Sequence, residues 1–210
     1  MPWIYYVAKT MGTVLFLLLT RLHIEGRENI PAEGPVLIVA NHLSNADPPL
    51  LGVSMRRYVK FMAKKELFRS KLTSYIMRGI GAFPVHRGQW DRKGLQEADK
   101  VLAKGLGLVI FPEGMRSKSK QLQPAFPGSA LIASRYKVPI LPIGITGTEK
   151  INGIGWILCR PKITINIGQL FYLPPAKSRL NKTEMIEFSH FIMEHISKLL
   201  PLEYRGNYAR

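Results

Sequence analysis

The stretch VLIVANHLSNADPP, Val36 to Pro49, decides how the rest of the chain is read. Five apolar residues, Val36 to Ala40, break abruptly into Asn41, His42, Leu43, Ser44, Asn45, Ala46 and Asp47. A short apolar run bounded by turn residues predicts a buried strand of a parallel sheet. The polar burst then falls just past the carboxyl end of that strand, where open α/β sheets bind ligands. Asp47 followed by Pro48 predicts a helix start, with Asp47 as N-cap and the proline in the first turn. His42 and Asp47 are thus expected on one strand-to-helix loop.

That spacing suits a chemical pair. A histidine can take a proton from a hydroxyl near neutral pH. It does so better when a carboxylate accepts from its other ring nitrogen. The plainer alternative is that Asp47 only caps a helix and His42 only fills a turn.

Three further segments weigh against that alternative. They are Gly81-Ala-Phe-Pro-Val-His-Arg87, Phe111-Pro-Glu-Gly-Met-Arg-Ser117 and Val138-Pro-Ile-Leu-Pro-Ile143. With the His-x4-Asp block, in this order, they resemble the four blocks of the glycerolipid acyltransferases. The likeness is greatest to bacterial 1-acyl-glycerol-3-phosphate acyltransferases and runs from about Gly26 to Gly147. Met115 stands where the family usually has threonine, which puts in doubt a side-chain hydrogen bond from that position.

The resemblance implies acyl transfer from a thioester, on coenzyme A or an acyl carrier protein, to the free hydroxyl of a lysophospholipid. His42 is then the general base and Asp47 its orienting carboxylate. Arg87 and Arg116 are expected to hold the acceptor phosphate, since guanidinium binds phosphate bidentately. Gly114 lets the backbone approach closely, and Asn41 and Ser117 support the loops. Glu113 is grouped with the phosphate-binding residues, yet a carboxylate beside phosphate repels it, so its expected task is to orient Arg116 or another donor. His86 is a rival base, disfavoured because neighbouring Arg87 opposes its protonation. No metal or cofactor is expected. The alternatives are another lyso-lipid acceptor, a hydrolase in which His42 activates water, and a non-catalytic basic module on membranes.

Length and composition agree with one globular domain. The chain has 210 residues, 46% hydrophobic and 21% charged, enough for one sizeable core. A single cysteine, Cys159, excludes an internal disulfide and a multi-cysteine metal site. The net charge of +16 points to an anionic membrane surface, acidic substrates or an acidic carrier. Neither zinc-finger spacing nor an RNA-binding aromatic motif supports nucleic acid as a partner.

Met1 to Thr20 is strongly apolar, interrupted by Lys9. Residues 1–21 are expected to form a membrane-associating helix, and residues 22–210 the acyltransferase domain. An interfacial anchor, a marginal span with Lys9 snorkelling, and a helix buried on the domain are the three readings. Trp3, Tyr5 and Tyr6 favour the headgroup level, on the cytoplasmic face of the membrane. No cleavable signal is evident.

A short strand and a turn are expected over Leu22 to Gly34, and further strands at Tyr58 to Ala63, Gly81 to Val85, Gly107 to Phe111, Val138 to Thr146 and about Ile163 to Ile167. Helices are expected over Glu66–Ile80, Asp91–Lys104, Gly128–Lys137 and Thr183–Leu200. Together these predict a mixed, mostly parallel sheet flanked by helices. In Glu66–Ile80 the residues Leu67, Phe68, Leu72, Tyr75, Ile76 and Gly79 fall on one side of the helix. The run Arg56, Arg57, Lys60, Lys64, Lys65, Arg69, Lys71 and Arg78 reads as an electrostatic platform or a solvated face. Ser117 to Phe126 is expected to be a mobile loop. His190 and His195 are expected at the surface.

Overall fold

A computed structural model describes residues 3–86, 91–175 and 180–209. In chain order the elements are α1 (Trp3–Leu19), β1 (Arg21–Glu25), β2 (Val36–Ala40), α2 (Asp47–Ser54), β3 (Val59–Lys64), α3 (Lys71–Gly79), β4 (Ala82–Val85), α4 (Arg92–Ala103), β5 (Gly107–Ile110), α5 (Gly128–Tyr136), β6 (Ile140–Thr146), α6 (Trp156–Cys159), β7 (Lys162–Ile167), α7 (Lys182–Ser197) and α8 (Leu202–Arg205). The sheet order is β1-β7-β6-β2-β5-β3-β4. Strands β2 to β6 run parallel, whereas β7 is antiparallel to β6 and parallel to β1.

The centre of this sheet is β2, and all five of its residues are inaccessible to solvent. Burial on both faces is why it reads as a continuous apolar run rather than an alternation. Val36, Ile38 and Ala40 face one core with Phe16 of α1 and Leu50, Leu51 and Val53 of α2. Leu37 and Val39 face the other, with Ala98, Val101 and Leu102 of α4, Ile132 of α5 and Ile192 and Ile196 of α7. Strand β7 sits at the sheet's flank and does alternate, with Ile163, Ile165 and Ile167 buried.

Pro142 lies inside β6, an interior strand, against the rule that confines proline to edges or bulges. The geometry explains the exception. Ile140 donates its N–H to Phe171 on the β7 side, and with a period of two Pro142 faces the same way. There β7 has ended at Ile167, and only the Pro142 carbonyl is needed, accepting from the Gly168 N–H at 2.9 Å.

Several local expectations change. Lys65–Phe68 is a 3₁₀ turn, and α3 starts afresh at Lys71 with Ser70 as N-cap, its side chain accepting from the Thr73 N–H. The apolar side of this segment is largely outward: Leu67, Leu72, Tyr75 and Ile76 are exposed. Periodicity shows that a helix has an apolar face but not what covers it. Arg57 is no surface platform residue. Its guanidinium reaches in to the carbonyls of Pro31, Gly34 and Gly105 at 2.7–3.0 Å, and burial lowers its pKa.

Helix α1 packs along α2 and α3, with Gly79 closely approached by Ile4 and Gly12 by Val53. Lys9 turns inward rather than snorkelling, donating to the Met55 carbonyl at 2.6 Å at the C-terminal end of α2, where a cation complements the helix dipole. Tyr5 is buried edge-on against Tyr58 rather than set at a headgroup level. Trp3, Tyr6, Val7, Met11, Val14, Leu15, Leu17 and Leu18 remain exposed. Among the described residues no helix is long and apolar enough to cross a membrane.

Ser117 to Phe126 is tied down at several points rather than loose. Leu122 is buried and its N–H donates to the Tyr204 carbonyl, while the Phe126 N–H donates to Pro112. Asn181 and Glu184 form a capping box that starts α7. His195 on α7 is half-buried, stacked on Phe171 with ring centres 3.8 Å apart, whereas His190 is exposed.

Candidate active site

The carboxyl ends of β2, β4, β5 and β6 lie along one edge of the sheet, and the polar blocks follow them there. His42 follows β2, Glu113 follows β5 and Thr148 follows β6. Asp47 does not cap α2. It is the first helical residue, with Ala46 at the N-cap and no side-chain cap bond. Its carboxylate folds back over the loop instead. Oδ2 accepts from His42 Nδ1 at 2.8 Å and from the N–H groups of Leu43 and Ser44 at 2.7 Å. Oδ1 accepts from the Thr148 hydroxyl at 2.6 Å.

These four bonds define what His42 can do. With Nδ1 held as donor to a carboxylate, the neutral ring keeps its lone pair on Nε2. Nε2 makes no hydrogen bond among the described residues. The ring is also clamped by Phe111, stacked at 4.2 Å between centroids. The arrangement leaves an imidazole able to accept a proton at Nε2, with its tautomer and orientation both set.

The backbone of the loop is held from three sides. The Asn41 side-chain amide imitates a strand neighbour, donating to the Ile145 carbonyl at 2.8 Å and accepting from the Ile145 N–H at 2.7 Å. The Ser117 N–H donates to the His42 carbonyl at 2.8 Å, and the Ser117 hydroxyl closes its own loop on the Gln121 carbonyl. Glu113 supplies the third hold. It is buried, with Oε1 accepting from the His42 N–H at 2.9 Å and Oε2 from the Gln123 N–H at 3.0 Å. Both carboxylate oxygens are therefore engaged by backbone N–H groups, and neither bonds Arg116. Burial pushes this carboxyl up to about 7, against the lowering effect of the two N–H donors.

Arg116 is exposed, next in sequence to the Ser117 that bonds His42, and makes no hydrogen bond or ion pair with the described residues. Gly114 has φ 66, and a Cβ there would strike the Phe126 ring at 2.7 Å, so the turn after β5 requires glycine. Arg87 lies outside the described residues. His86, the rival base, is exposed at the end of β4. It binds Asp91 through both its backbone N–H and its ring Nδ1, and Lys65 lies 3.1 Å from its Nε2.

An apolar cavity of about 370 Å³ opens beside this edge, lined by residues including Phe111, Gly114, Phe126, Ile132 and Met185. Phe111 thus belongs to both the cavity wall and the His42 clamp.

Two parts of the site escape the sequence reading. Thr148 sits in a 3₁₀ turn, 101 residues from the carboxylate it holds. Its one signal is its place, a polar residue just past a buried strand, as in the other blocks. The C-terminal segment is the second part. Tyr204 donates to Glu149 at 2.8 Å, beside Thr148, and burial pushes its hydroxyl up to about 12.

An α/β domain with a buried His-Asp pair at its sheet edge matches one family. The acyltransferase family model covers residues 21–146, and the chain belongs to that family. Among relatives, the 1-acyl-sn-glycerol-3-phosphate acyltransferase of Bacillus subtilis is 34% identical over 58% of this chain and 60% of its own length. That of Streptococcus pneumoniae is 30% identical over 75% of this chain and 59% of its own. A chloroplastic enzyme of the same name from Brassica napus is 31% identical over 72% of this chain and 44% of its own. The chain therefore spans roughly half the length of these relatives. The crystal structure of the 1-acyl-sn-glycerophosphate (LPA) acyltransferase from Thermotoga maritima superposes with a TM-score of 0.73, at 25% identity, over 93% of this chain and 78% of that one.

Proposed function

We propose that this protein transfers a fatty acyl group from an acyl thioester to the free sn-2 hydroxyl of 1-acyl-glycerol-3-phosphate, giving phosphatidic acid. The observation that carries the reading is the His42 Nδ1 to Asp47 contact of 2.8 Å, buried, with Nε2 left as acceptor at the sheet edge. In the reaction Nε2 takes the hydroxyl proton as the oxygen attacks the thioester carbonyl. The C–S bond breaks as the new ester forms, and the proton passes from the imidazolium to the departing thiolate. The donor is coenzyme A or an acyl carrier protein, and the apolar cavity beside Phe111 suits its acyl chain.

Arg116, exposed beside the His42 loop and without a hydrogen bond or ion pair among the described residues, and Arg87 are the proposed phosphate clamp. Arg116→Ala is expected to raise the acceptor KM about tenfold to a hundredfold with kcat changed less, since one charged hydrogen bond is worth ~1.5–3 kcal/mol. Arg116→Lys restores part of this, because lysine lacks the planar fork. An unchanged KM for lysophosphatidic acid in Arg116→Ala removes that assignment. Asn41, Ser117 and Glu113 are assigned to holding the loop rather than to substrate.

Thr148 is assigned to orienting Asp47. Thr148→Val keeps the shape but leaves Oδ1 of a fully buried carboxylate without a partner. Turnover is expected to fall roughly tenfold or more, with the acceptor KM near normal and Thr148→Ser recovering most of it. A valine variant as fast as wild type contradicts this role.

The enzyme is placed on the cytoplasmic face of the cell membrane. Residues 1–21 are read as the membrane-associating helix of a domain spanning 22–210. One side of α1 grips α2 and α3, while its exposed apolar side and the outward Leu72, Tyr75 and Ile76 of α3 suit an interface-lying helix.

A further inference from the structure

The segment between β6 and β7 carries apolar side chains that neither core uses. Ile154 is 83% exposed, Leu158 90% and Ile157 39%, within ten residues that hold only a single turn of helix, α6. Large apolar groups clustered in water mark a surface that something else covers.

Its position says where the covering partner must lie. Strand β7 runs antiparallel to β6, with Thr164 opposite Thr146 and Lys162, its first residue, against Gly147. The segment therefore hangs from the same sheet edge as His42. It leaves that edge directly after Thr148, which holds Asp47. It also lies against the end of α1. Arg160 Nη2 donates to the Leu17 carbonyl at 3.3 Å, Arg21 Nε donates to the Arg160 carbonyl at 3.1 Å, and the Arg21 N–H donates to Pro161 at 3.0 Å. Leu17 and Leu18 there are 56% and 64% exposed. Arg160, two residues after Leu158, therefore ties this segment to the turn of α1 that carries Leu17 and Leu18.

Charge selects the partner. Arg21, Lys150, Arg160 and Lys162 are exposed around this patch. Glu149, the only acidic residue from Gly147 to Lys162, is engaged by the Tyr204 hydroxyl. Apolar side chains beside exposed cations that make no ion pair among the described residues fit the boundary of an anionic bilayer, where acyl chains meet negative headgroups.

We propose that Ile154, Ile157 and Leu158, together with Leu17 and Leu18, form a second lipid-docking element. It seats the catalytic edge on an anionic bilayer, so that the acceptor reaches His42 from the membrane surface. The proposal rests on the lysophospholipid reading above and extends it from the outer face of α1 to the rim of the site.

The chain's one cysteine, Cys159, is exposed within this segment and serves as the probe. The full chain labelled there with a polarity-sensitive fluorophore is mixed with vesicles of equal parts phosphatidylglycerol and phosphatidylcholine, with or without a spin-labelled lipid. The emission is expected to shift to the blue and to be quenched by the spin label. Ile154→Asp combined with Leu158→Asp is expected to weaken flotation with these vesicles at least about tenfold, given the transfer energy of two apolar side chains. Turnover of a short-chain lysophosphatidic acid below its micelle concentration should stay within about twofold in that variant. Label that stays unquenched on protein that floats overturns the proposal. So does undiminished flotation of the double variant, or equal loss of turnover on the monomeric acceptor. Flotation and quenching need no substrate, so a chain that passes both yet acylates nothing sinks the functional reading and leaves the docking element standing.

Discussion

His42→Ala is expected to lower turnover roughly 10²- to 10⁴-fold, the range that general base catalysis supplies, while the protein stays folded. Retention of the fold follows from how the loop is held. The His42 backbone, not its ring, makes the bonds to Glu113 and Ser117, and the alanine variant keeps both. Asp47→Asn then separates orientation from charge. An asparagine oxygen at the Oδ2 position still accepts from His42 Nδ1, Leu43 and Ser44, and the Thr148 hydroxyl can rotate to accept from the new amide. The remaining loss of kcat measures the stabilisation of the imidazolium, and the acceptor KM should change little. Circular dichroism and steady-state kinetics on the two variants check this. An alanine variant with more than a few per cent of wild-type turnover contradicts the role of His42.

Glu113 carries the second large effect, on stability as well as activity. Glu113→Ala leaves the N–H groups of His42 and Gln123 without acceptors, at about 1–3 kcal/mol for each donor left buried. The same change unpins His42, so turnover should fall with it. The pH dependence is specific. Burial raises this carboxyl from 4.5 to about 7 in the folded chain. The folded state therefore binds the proton more tightly than the unfolded one. The stability it contributes is fully present below pH 4.5 and is lost as pH rises to about 7. Glu113→Gln stays neutral throughout, so wild type should lose on the order of 3 kcal/mol relative to it across that window. Urea denaturation of both proteins at several pH values reads the difference, and parallel curves would falsify the buried-carboxyl account.

The contrast between His42 and Glu113 shows what could be read from residues alone. The His42 loop was legible because a strand buried on both faces leaves five apolar residues in a row, and the first polar residues after it must stand at the sheet edge. The His42–Asp47 pairing is local, spanning one loop, so spacing alone suggests it. The direction in which Glu113 points is not local. It depends on a His42 N–H 71 residues away and on the Gln123 turn brought over it. A block resemblance places such a residue near the site without saying whether it faces substrate or scaffold. Arg57 failed for the same reason. Seven other cations stand near it in sequence, yet it alone reaches in to three partly buried carbonyls. The apolar stripe of α3 was visible as a stripe, but its exposure follows from where α1 lies, packed through Ile4 on Gly79.

Direct transfer between thioester and lipid hydroxyl is the central claim, and a single labelled-donor experiment tests it. The protein is incubated with an acyl thioester labelled in the acyl group, with and without 1-acyl-glycerol-3-phosphate, and the lipids and the denatured protein are counted separately. The label should appear in phosphatidic acid only when the acceptor is present, remain on the thioester without it, and never stay on the protein. Cys159→Ser should behave identically, and His42→Ala should form product at least about 10²-fold more slowly. Label released as free fatty acid without acceptor, or bound stoichiometrically to a serine or to Cys159, contradicts the account.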